Sequence, residues 1–286
     1  MHKDKSKQKK GRQPAATTRR TRGARARPVV LLVGGAGRMG RLFARIFRRK
    51  GCDVRIADPA GVPRGFSAGT LDDASRADVV VIAASLDRAA GVLAAVLDRK
   101  PKGLVFDIAS VKAPLLELFS RAREQGVAIA SAHPMFGPRA SLFGRDFLVL
   151  DAGDKAAARR VARLFAGEGL KIRTMPAAEH DRWVGRTMGF AHLIALVSAF
   201  GLAELGISRQ DVDGRATTTF RNLLALVGPI LEQDPALTRA IQTENPETPS
   251  VLDYLAREVE ALRHLLFESD ASRLEARVSA VRAALR

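Results

Sequence analysis

The segment at residues 131–138, Ser-Ala-His-Pro-Met-Phe-Gly-Pro, contains the side chain best suited to acid–base chemistry. His133 follows the apolar run 127–130, and two prolines restrict the backbone of the loop that it enters. An imidazole titrates near neutral pH, and α/β proteins bind ligands at the carboxyl ends of their strands. The pattern therefore predicts a proton acceptor at a strand end. A structural histidine held by hydrogen bonds is the alternative, and it is the more frequent situation.

Two further segments carry polar side chains that suit a ligand. Ser110 and Lys112 lie in the pattern Asp-x-x-Ser-x-Lys, just after a predicted strand. The Ser110 hydroxyl can donate a hydrogen bond to a ligand or cap the helix that follows. Arg221 stands among neutral polar residues at the start of an apolar helix, where its guanidinium can bind a carboxylate through two hydrogen bonds. A surface arginine without a ligand is the simpler interpretation of Arg221.

Three more titratable residues have structural explanations when the sequence is taken alone. His192 lies on an otherwise apolar helix, which is typical of a histidine packed in a core. His180 and Asp181 open the helical part of the chain, where an acid in the first turn interacts favourably with the helix dipole. We therefore predict that this pair caps a helix. The sequence has no Cys and His spacing typical of a metal site, so no metal is predicted.

A glycine-rich segment indicates the cofactor. An apolar strand runs into Gly-Gly-Ala-Gly-Arg-Met-Gly, and a helix with apolar residues on one face follows. In this G-x-G-x-x-G pattern Gly35 permits the tight turn, Gly37 lets a pyrophosphate approach the backbone, and Gly40 lets helix and strand pack closely. The helix N-terminus, at Arg38 and Met39, offers free N–H groups to phosphates. The segment predicts dinucleotide binding; a glycine-rich turn in a non-binding α/β protein is the alternative.

An acid at the end of the second predicted strand bears on which dinucleotide binds. Asp58 lies 23 residues after Gly35, near the position where an acid accepts hydrogen bonds from the adenosine ribose. A carboxylate there repels a 2′-phosphate, so NAD is predicted. Arg38 and Arg64 leave NADP open, because an arginine nearby can accept that phosphate. Ser85, at the end of the following strand, is expected to face the same cofactor.

The elements that position these residues divide the chain in two. Strand and helix patterns alternate through residues 29–178, which predicts an α/β, Rossmann-type dinucleotide-binding domain. Residues 179–286 show only helical spacing, which predicts an all-helical domain. Its helices are apolar over wide faces, so a homodimer through this domain is predicted. The candidates at predicted strand ends should face one crevice: Asp58, Ser85, Ser110 and His133.

Composition limits the classes of function. The net charge of +17 is typical of nucleic-acid-binding proteins, but eleven basic residues and one acid lie in residues 1–28. That tail has almost no apolar residues and is predicted to be disordered, so nucleic acid is not the expected partner. A single cysteine, Cys52, fits a reducing compartment and a cytoplasmic location. No run of about 18 apolar residues occurs, so no membrane-spanning helix is predicted.

Five segments together resemble the prephenate dehydrogenase family. The Asp-x-x-Ser-x-Lys and His-Pro-Met-Phe-Gly-Pro segments are fairly specific, whereas the glycine-rich segment is not. The resemblance covers about residues 29–268 and is closest to the bacterial form fused to chorismate mutase. The matching segments occur in the family's order, at residues 33–43, 107–112, 133–138, 178–181 and 220–221.

The resemblance implies an NAD-binding Rossmann domain, a helical dimerisation domain and an active site between them. It implies oxidative decarboxylation of prephenate to 4-hydroxyphenylpyruvate, a step of tyrosine biosynthesis. His133 would take the proton of the 4-hydroxyl as hydride leaves C4 for NAD, and Ser110 would hold that hydroxyl or orient His133. Arg221 would bind a substrate carboxylate, His192 would line the pocket, and Lys112 would contribute to substrate binding.

The sequence departs from the family in four places. We expect no chorismate mutase domain before the Rossmann unit and no regulatory domain after it. Arg139 follows Pro138 where an acid is common in the family, and residues 83–87 lack the usual proline. Because both of these changes are expected near the substrate, arogenate and 4-amino-4-deoxyprephenate stay open as alternative substrates.

Two other functions compete with this one. A β-hydroxyacid dehydrogenase shares the Rossmann-plus-helices plan, but it would carry a catalytic lysine on the long helix between the domains, and residues 183–204 contain no lysine. A non-catalytic NAD-sensing or nucleic-acid-binding protein would use the basic tail, and it would bind DNA or RNA in a salt-dependent manner.

Overall fold

An eight-stranded sheet forms the centre of the N-terminal part of the chain. The protein is described by a computed structural model over residues 26–267 and 271–286, so the predicted disordered tail at 1–28 lies almost wholly outside the described residues. The strands are β1 (Val29–Val33), β2 (Asp53–Ala57), β3 (Ser67–Ala68), β4 (Val79–Ile82), β5 (Leu104–Asp107), β6 (Ile129–Pro134), β7 (Asp146–Asp151) and β8 (Lys171–Pro176). Their order across the sheet is β3-β2-β1-β4-β5-β6-β7-β8, and only β6 and β7 pair antiparallel.

Helices cover both faces of this sheet, which explains why its central strands are continuous apolar runs. All residues of β4 and β5 are buried, as expected of parallel strands between two helical layers. The covering helices are α1 (Arg38–Arg49), α2 (Leu86–Asp98), α3 (Leu116–Glu124) and α4 (Lys155–Phe165). One core, under α1 and α4, contains Phe43, Phe47 and Phe165, whereas the other, under α2 and α3, contains Leu93 and Phe119.

The remainder of the chain is helical, as predicted, and the helices begin at Ala177, two residues before the predicted boundary. A π-helical turn, Gly185–Gly189, joins the first two helices into one continuous rod. Such turns are frequent at functional sites. The helices are α5 (Ala177–Val184), α6 (Phe190–Glu204), α7 (Arg209–Val212), α8 (Thr218–Leu231), α9 (Pro235–Thr243), α10 (Thr248–Phe267) and α11 (Ala271–Ala284).

Strand β6 differs from the prediction in a way that affects His133. The sequence suggests that the strand ends before His133, whereas β6 continues to Pro134. The cause is the antiparallel partner β7, because His133 pairs with Leu148 and Pro134 with Phe147. The histidine is therefore held by a sheet ladder and is not carried on a free loop.

One helix among the described residues is long and apolar enough to cross a membrane by length and composition alone. It is the 28-residue rod Ala177–Glu204, whose most apolar window has a mean hydropathy of 1.4. The sequence predicted no such span, because no run of about 18 apolar residues occurs. Charged residues lie in the first part of this rod, at Glu179, Asp181, Arg182 and Arg186. An apolar helix at a subunit interface has the same composition, so this observation by itself is weak evidence for a membrane.

Gly40 tests the packing of α1 on the glycine-rich turn. An alanine Cβ at this position would lie 2.3 Å from the Gly34 carbonyl oxygen and 2.7 Å from the Gly35 Cα. Backbone atoms cannot move aside as a side chain can, so we expect Gly40→Ala to lower the free energy of unfolding by about 1–3 kcal/mol or more. Urea denaturation measures the change.

Gly91→Ala is the matched control for Gly40→Ala. Gly91 is exposed on α2, and an added Cβ would meet nothing within 4 Å. Alanine should stabilise that helix by up to about 1 kcal/mol. Equal stabilities for the two alanine variants would show that the turn tolerates the side chain.

Candidate active site

The glycine-rich turn has the geometry that a pyrophosphate requires. Gly34 has a φ of +83°, which favours glycine, and α1 begins directly after Gly37 with no side chain capping its N-terminus. The first N–H groups of a helix have no intrahelical acceptors, so they stay available to an anion. A Cβ at Gly37 would meet only the Gly34 carbonyl oxygen, at 3.4 Å, which leaves open space in front of the turn. These features fit a dinucleotide.

Asp58 lies directly beside this turn. One of its carboxylate oxygens accepts a hydrogen bond from the Ala36 N–H at 2.9 Å, and the other accepts one from the Ala60 N–H at 2.8 Å. The carboxylate thus fixes the turn, and each oxygen has further lone pairs for a ligand. Its place at the end of β2 is the place at which the sequence predicts contact with a ribose.

A crevice of about 430 Å³ opens above the sheet and brings some of the predicted residues together. Asp58 and His133 were expected to face the same crevice, but they are not among its lining residues. Its walls come from the turn, from the ends of β4 and β5, from the loop after β6, and from the helical region around the start of α9. The predicted residues among its lining are Gly37, Arg38, Met39, Ser85 and Ser110. The lining residues that the sequence did not predict include Ile108, Pro138, Gln233, Asp234 and Leu237.

Ser110 faces this crevice and does not cap a helix. The next turn, Ala113–Leu115, has Lys112 at its N-cap position and no side-chain cap. The capping alternative for Ser110 is therefore wrong. Its hydroxyl has no hydrogen bond to another of the described residues, which leaves it free to bind a ligand.

His133 belongs to a chain of three buried side chains. Its Nδ1 lies 2.9 Å from Nε2 of His180, and the Nδ1 of His180 lies 2.6 Å from Oδ1 of Asp181. The carboxylate oxygens of Asp181 also accept the backbone N–H groups of Lys112, at 2.9 Å, and Ala113, at 2.6 Å. The helical region therefore reaches across to the histidine on the sheet.

The predicted capping role of His180 and Asp181 is wrong. Both side chains are buried within α5, whose N-cap residue is Pro176. Their partners lie 47 and 69 residues away in sequence, so no local pattern shows the contact. The only sequence signal was their inclusion in the segment at 178–181 that resembles the family. Asn245, which the sequence did not single out, donates its side-chain N–H to the Asp181 backbone carbonyl at 3.0 Å.

Burial keeps both imidazoles neutral at pH 7. The pKa of His133 is held well below its ordinary value, first by loss of hydration and then by repulsion from His180 and Lys112. Burial also lowers the pKa of His180, although its hydrogen bond to Asp181 opposes that shift. A neutral imidazole has one ring nitrogen with a free lone pair, so His133 can accept a proton.

Lys112 is a structural residue, which corrects the prediction that it binds substrate. It is fully buried, and its ammonium group donates to Asp107 at 2.6 Å and to the carbonyls of Ala109 and Ala132 at 2.6 and 2.9 Å. An ammonium has three N–H groups, and these three acceptors use all of them. Burial lowers the pKa of Lys112, and the Asp107 carboxylate opposes this shift.

The remaining two candidates lie in the helical region and differ in exposure. His192 is half-buried on α6, burial lowers its pKa, and its Nδ1 has no hydrogen-bond partner among the described residues. Arg221 is exposed on α8, where its Nε donates to the Ala216 carbonyl at 3.4 Å. Arg221 does not line the crevice of this single chain. The substrate contacts of both residues stay predictions.

Two family models match consecutive parts of the chain. The nucleotide-binding domain of prephenate dehydrogenase matches residues 44–173, and the dimerization domain of the same enzyme matches residues 176–279. The chain belongs to the prephenate dehydrogenase family. The predicted family, the fold class and the general class of NAD(P)-dependent oxidoreductase are therefore confirmed. The glycine-rich turn lies before the matched residues.

Individual relatives agree with this assignment. A 4-amino-4-deoxyprephenate dehydrogenase of Streptomyces pristinaespiralis is 30% identical over 244 residues, which are 79% of this chain and 81% of that protein. A probable arogenate/prephenate dehydrogenase of Methanocaldococcus jannaschii is 25% identical over 84% of this chain, which spans 57% of that protein's length. The prephenate dehydrogenase of Aquifex aeolicus, solved with hydroxyphenyl propionate and NAD+, has the same fold, with a TM-score of 0.70. It is 19% identical to this chain, and the superposition covers 91% of this chain and 98% of that one.

Replacing Lys112 by methionine distinguishes a structural role from substrate binding. Lys112→Met leaves the Asp107 carboxylate buried without its cation, so we expect a loss of about 3–5 kcal/mol in the free energy of unfolding. Adding Asp107→Leu should restore much of that loss, since the unpaired charge is then removed. Lys155→Met, at an exposed position, serves as control and should change stability by about 0.5 kcal/mol or less. Unchanged stability with a raised substrate KM would restore the role in substrate binding.

Proposed function

We propose that this protein catalyses the NAD-dependent oxidative decarboxylation of prephenate to 4-hydroxyphenylpyruvate. One observation carries the proposal. A neutral, buried histidine, His133, is held by His180 at the end of β6, next to the strand whose continuation carries Ser110 into the crevice. Oxidation of a secondary ring alcohol needs a base at the hydroxyl and a hydride acceptor at the carbon, and this edge of the sheet offers places for both.

NAD is the cofactor that the crevice suits best. The glycine-rich turn and the N-terminus of α1 would hold its pyrophosphate, and Asp58 would accept hydrogen bonds from its ribose. Ser85, Arg38 and Met39 line the same space. NAD, when bound, accepts the hydride that leaves C4 of the substrate. The carboxylate of Asp58 favours NAD over NADP, since it would repel a 2′-phosphate.

His133 acts on the substrate 4-hydroxyl. Its free ring nitrogen takes the hydroxyl proton as the C4–H bond breaks, so that the oxygen becomes a carbonyl. Loss of CO2 then leaves its electron pair in the ring, which becomes aromatic, and the oxygen takes the proton back to form the phenol. An imidazole whose pKa is held low returns that proton readily. Ser110 would hold the same hydroxyl or orient His133.

A specific observation favours a second substrate, 4-amino-4-deoxyprephenate. The relative that reaches 30% identity and shares most of its own length with this chain carries that name. Arogenate is the third candidate, because another relative is named for arogenate and prephenate together. Arogenate carries an amine on its side chain, whereas 4-amino-4-deoxyprephenate carries one on its ring. The protein residues around the substrate's ring and side chain therefore decide which substrate is preferred. Arg139 is exposed in the loop after His133 and directly follows Pro138, which lines the crevice, so we propose it as one of these residues.

We also propose that the active form is a homodimer joined through the helical region, located in the cytoplasm. The match of residues 176–279 to a dimerization domain supports the dimer. Exposed apolar side chains supply the surface for it. The most apolar window of the Ala177–Glu204 rod is only 17% buried in the single chain, and a second subunit would cover this surface. They include Val197, Phe200, Leu231, Leu262, Phe267 and Val281.

Substrate and cofactor preference test the proposed function directly. The full chain is assayed for NADH or NADPH formation with prephenate, arogenate and 4-amino-4-deoxyprephenate, each with NAD and with NADP. We expect the highest kcat/KM for prephenate with NAD. A higher kcat/KM for 4-amino-4-deoxyprephenate would replace prephenate by the second candidate. No turnover of any of the three would contradict the proposal.

A further inference from the structure

The hydrogen bonds around His180 determine where its proton lies. The Asp181 carboxylate accepts hydrogen bonds from the backbone N–H groups of Lys112 and Ala113. It is therefore also the acceptor in its third contact, with the Nδ1 of His180. The Nδ1 of His180 must therefore carry a hydrogen. Because burial keeps this imidazole neutral, its Nε2 has only a lone pair to offer.

The same reasoning extends to His133. The Nδ1 of His133 faces the Nε2 of His180 at 2.9 Å, and an acceptor there requires a donor opposite. The hydrogen of neutral His133 therefore lies on Nδ1, and the free lone pair lies on Nε2. That nitrogen is the one that does not face His180 and can face a substrate.

We propose that His180 and Asp181 are positioning residues that fix the tautomer of His133, so that Nε2 is the proton acceptor. The inference rests on the proposed function of His133, because a tautomer matters only if that imidazole accepts a proton. After His133 gains the proton, its Nδ1–H still donates to His180, which still donates to Asp181. The positive charge is then stabilised through the chain while the proton stays on His133.

The surroundings hold the chain in one orientation. Asp181 is fixed by the N–H groups of Lys112 and Ala113, and its backbone carbonyl accepts the side chain of Asn245. The other charged groups near the two imidazoles are the ammonium of Lys112 and the carboxylate of Asp107, which pair with each other at 2.6 Å. That pairing leaves Asp181 as the acceptor for the His180 ring.

Asp181→Asn is expected to reverse the donor and the acceptor in both hydrogen bonds that link His133, His180 and residue 181. The amide oxygen can still accept the backbone N–H groups, so the amide nitrogen faces His180 and donates to its Nδ1. The Nε2 of His180 then carries the hydrogen and donates to Nδ1 of His133, which moves the His133 hydrogen onto Nε2. His133 then has no free lone pair on Nε2 and cannot accept the substrate proton there, although His133 itself is unchanged.

The tautomer is measured by 15N NMR of the full chain labelled at histidine, with the His133 signals assigned by their loss in His133→Asn. We expect the Nδ1–H form of His133 in the unmodified protein and the Nε2–H form in Asp181→Asn.

The kcat of Asp181→Asn should fall by about 10²–10⁴-fold, with little change in KM and no recovery at higher pH. Asp154→Asn is the matched control; Asp154 caps α4 through the Ala157 N–H, and its replacement should alter neither tautomer nor kcat.

Substitutions at His180 give a second test. His180→Gln offers a carbonyl oxygen to Nδ1 of His133 and should preserve the tautomer and most of kcat, whereas His180→Leu should lose both. An Nε2–H tautomer of His133 in the unmodified protein would overturn the proposal, and so would full turnover by Asp181→Asn. The NMR measurement needs no turnover, so inactivity toward every substrate would contradict the proposed function and not the tautomer assignment.

Discussion

The candidate site depends on the hydrogen bonds of the buried residue Lys112. It joins three parts of the chain, because its Nζ binds the Asp107 side chain at the end of β5 and the Ala132 carbonyl on β6, while its backbone N–H binds Asp181 on α5. Removing a lysine and two carboxylates from water is costly unless each is paired. That requirement leaves few arrangements for these residues, and the arrangement adopted places His180 against His133.

The parts of the fold that follow from local patterns are predictable from sequence. Continuous apolar runs predicted the buried parallel strands, helical spacing predicted the helical second part of the chain, and the glycine pattern predicted the turn before α1. The errors share one cause, which is contact between residues far apart in the chain. Lys112 was expected to face a substrate, His180 and Asp181 were expected to cap a helix, and His133 was expected in a loop; each is placed instead by partners on another strand or helix. A polar residue has the same appearance in sequence whether its partner is water, substrate or a buried charge.

The chemistry of the site follows from burial more than from any single charged group. Burial lowers the pKa of His133 and of His180, so both imidazoles stay neutral at pH 7. In the proposed reaction, a neutral imidazole would accept the hydroxyl proton and give it back once the ring is aromatic, so the reaction would consume no base. The sheet carries the glycine-rich turn and His133, and the helical region carries His180, which lies within hydrogen-bond distance of both His133 and Asp181. The crevice between them is the natural place for a small substrate to be enclosed.

Steady-state turnover of His133→Asn, measured alongside its affinity for NAD, tests whether His133 takes the hydroxyl proton. Asparagine is close in size and can form hydrogen bonds, but it has no basic nitrogen. We expect kcat to fall by about 10²–10⁴-fold, the usual contribution of a positioned base, while the Kd for NAD changes little, because the glycine-rich turn is untouched. Normal turnover by His133→Asn would rule out His133 as the base, since the proton would then have another acceptor.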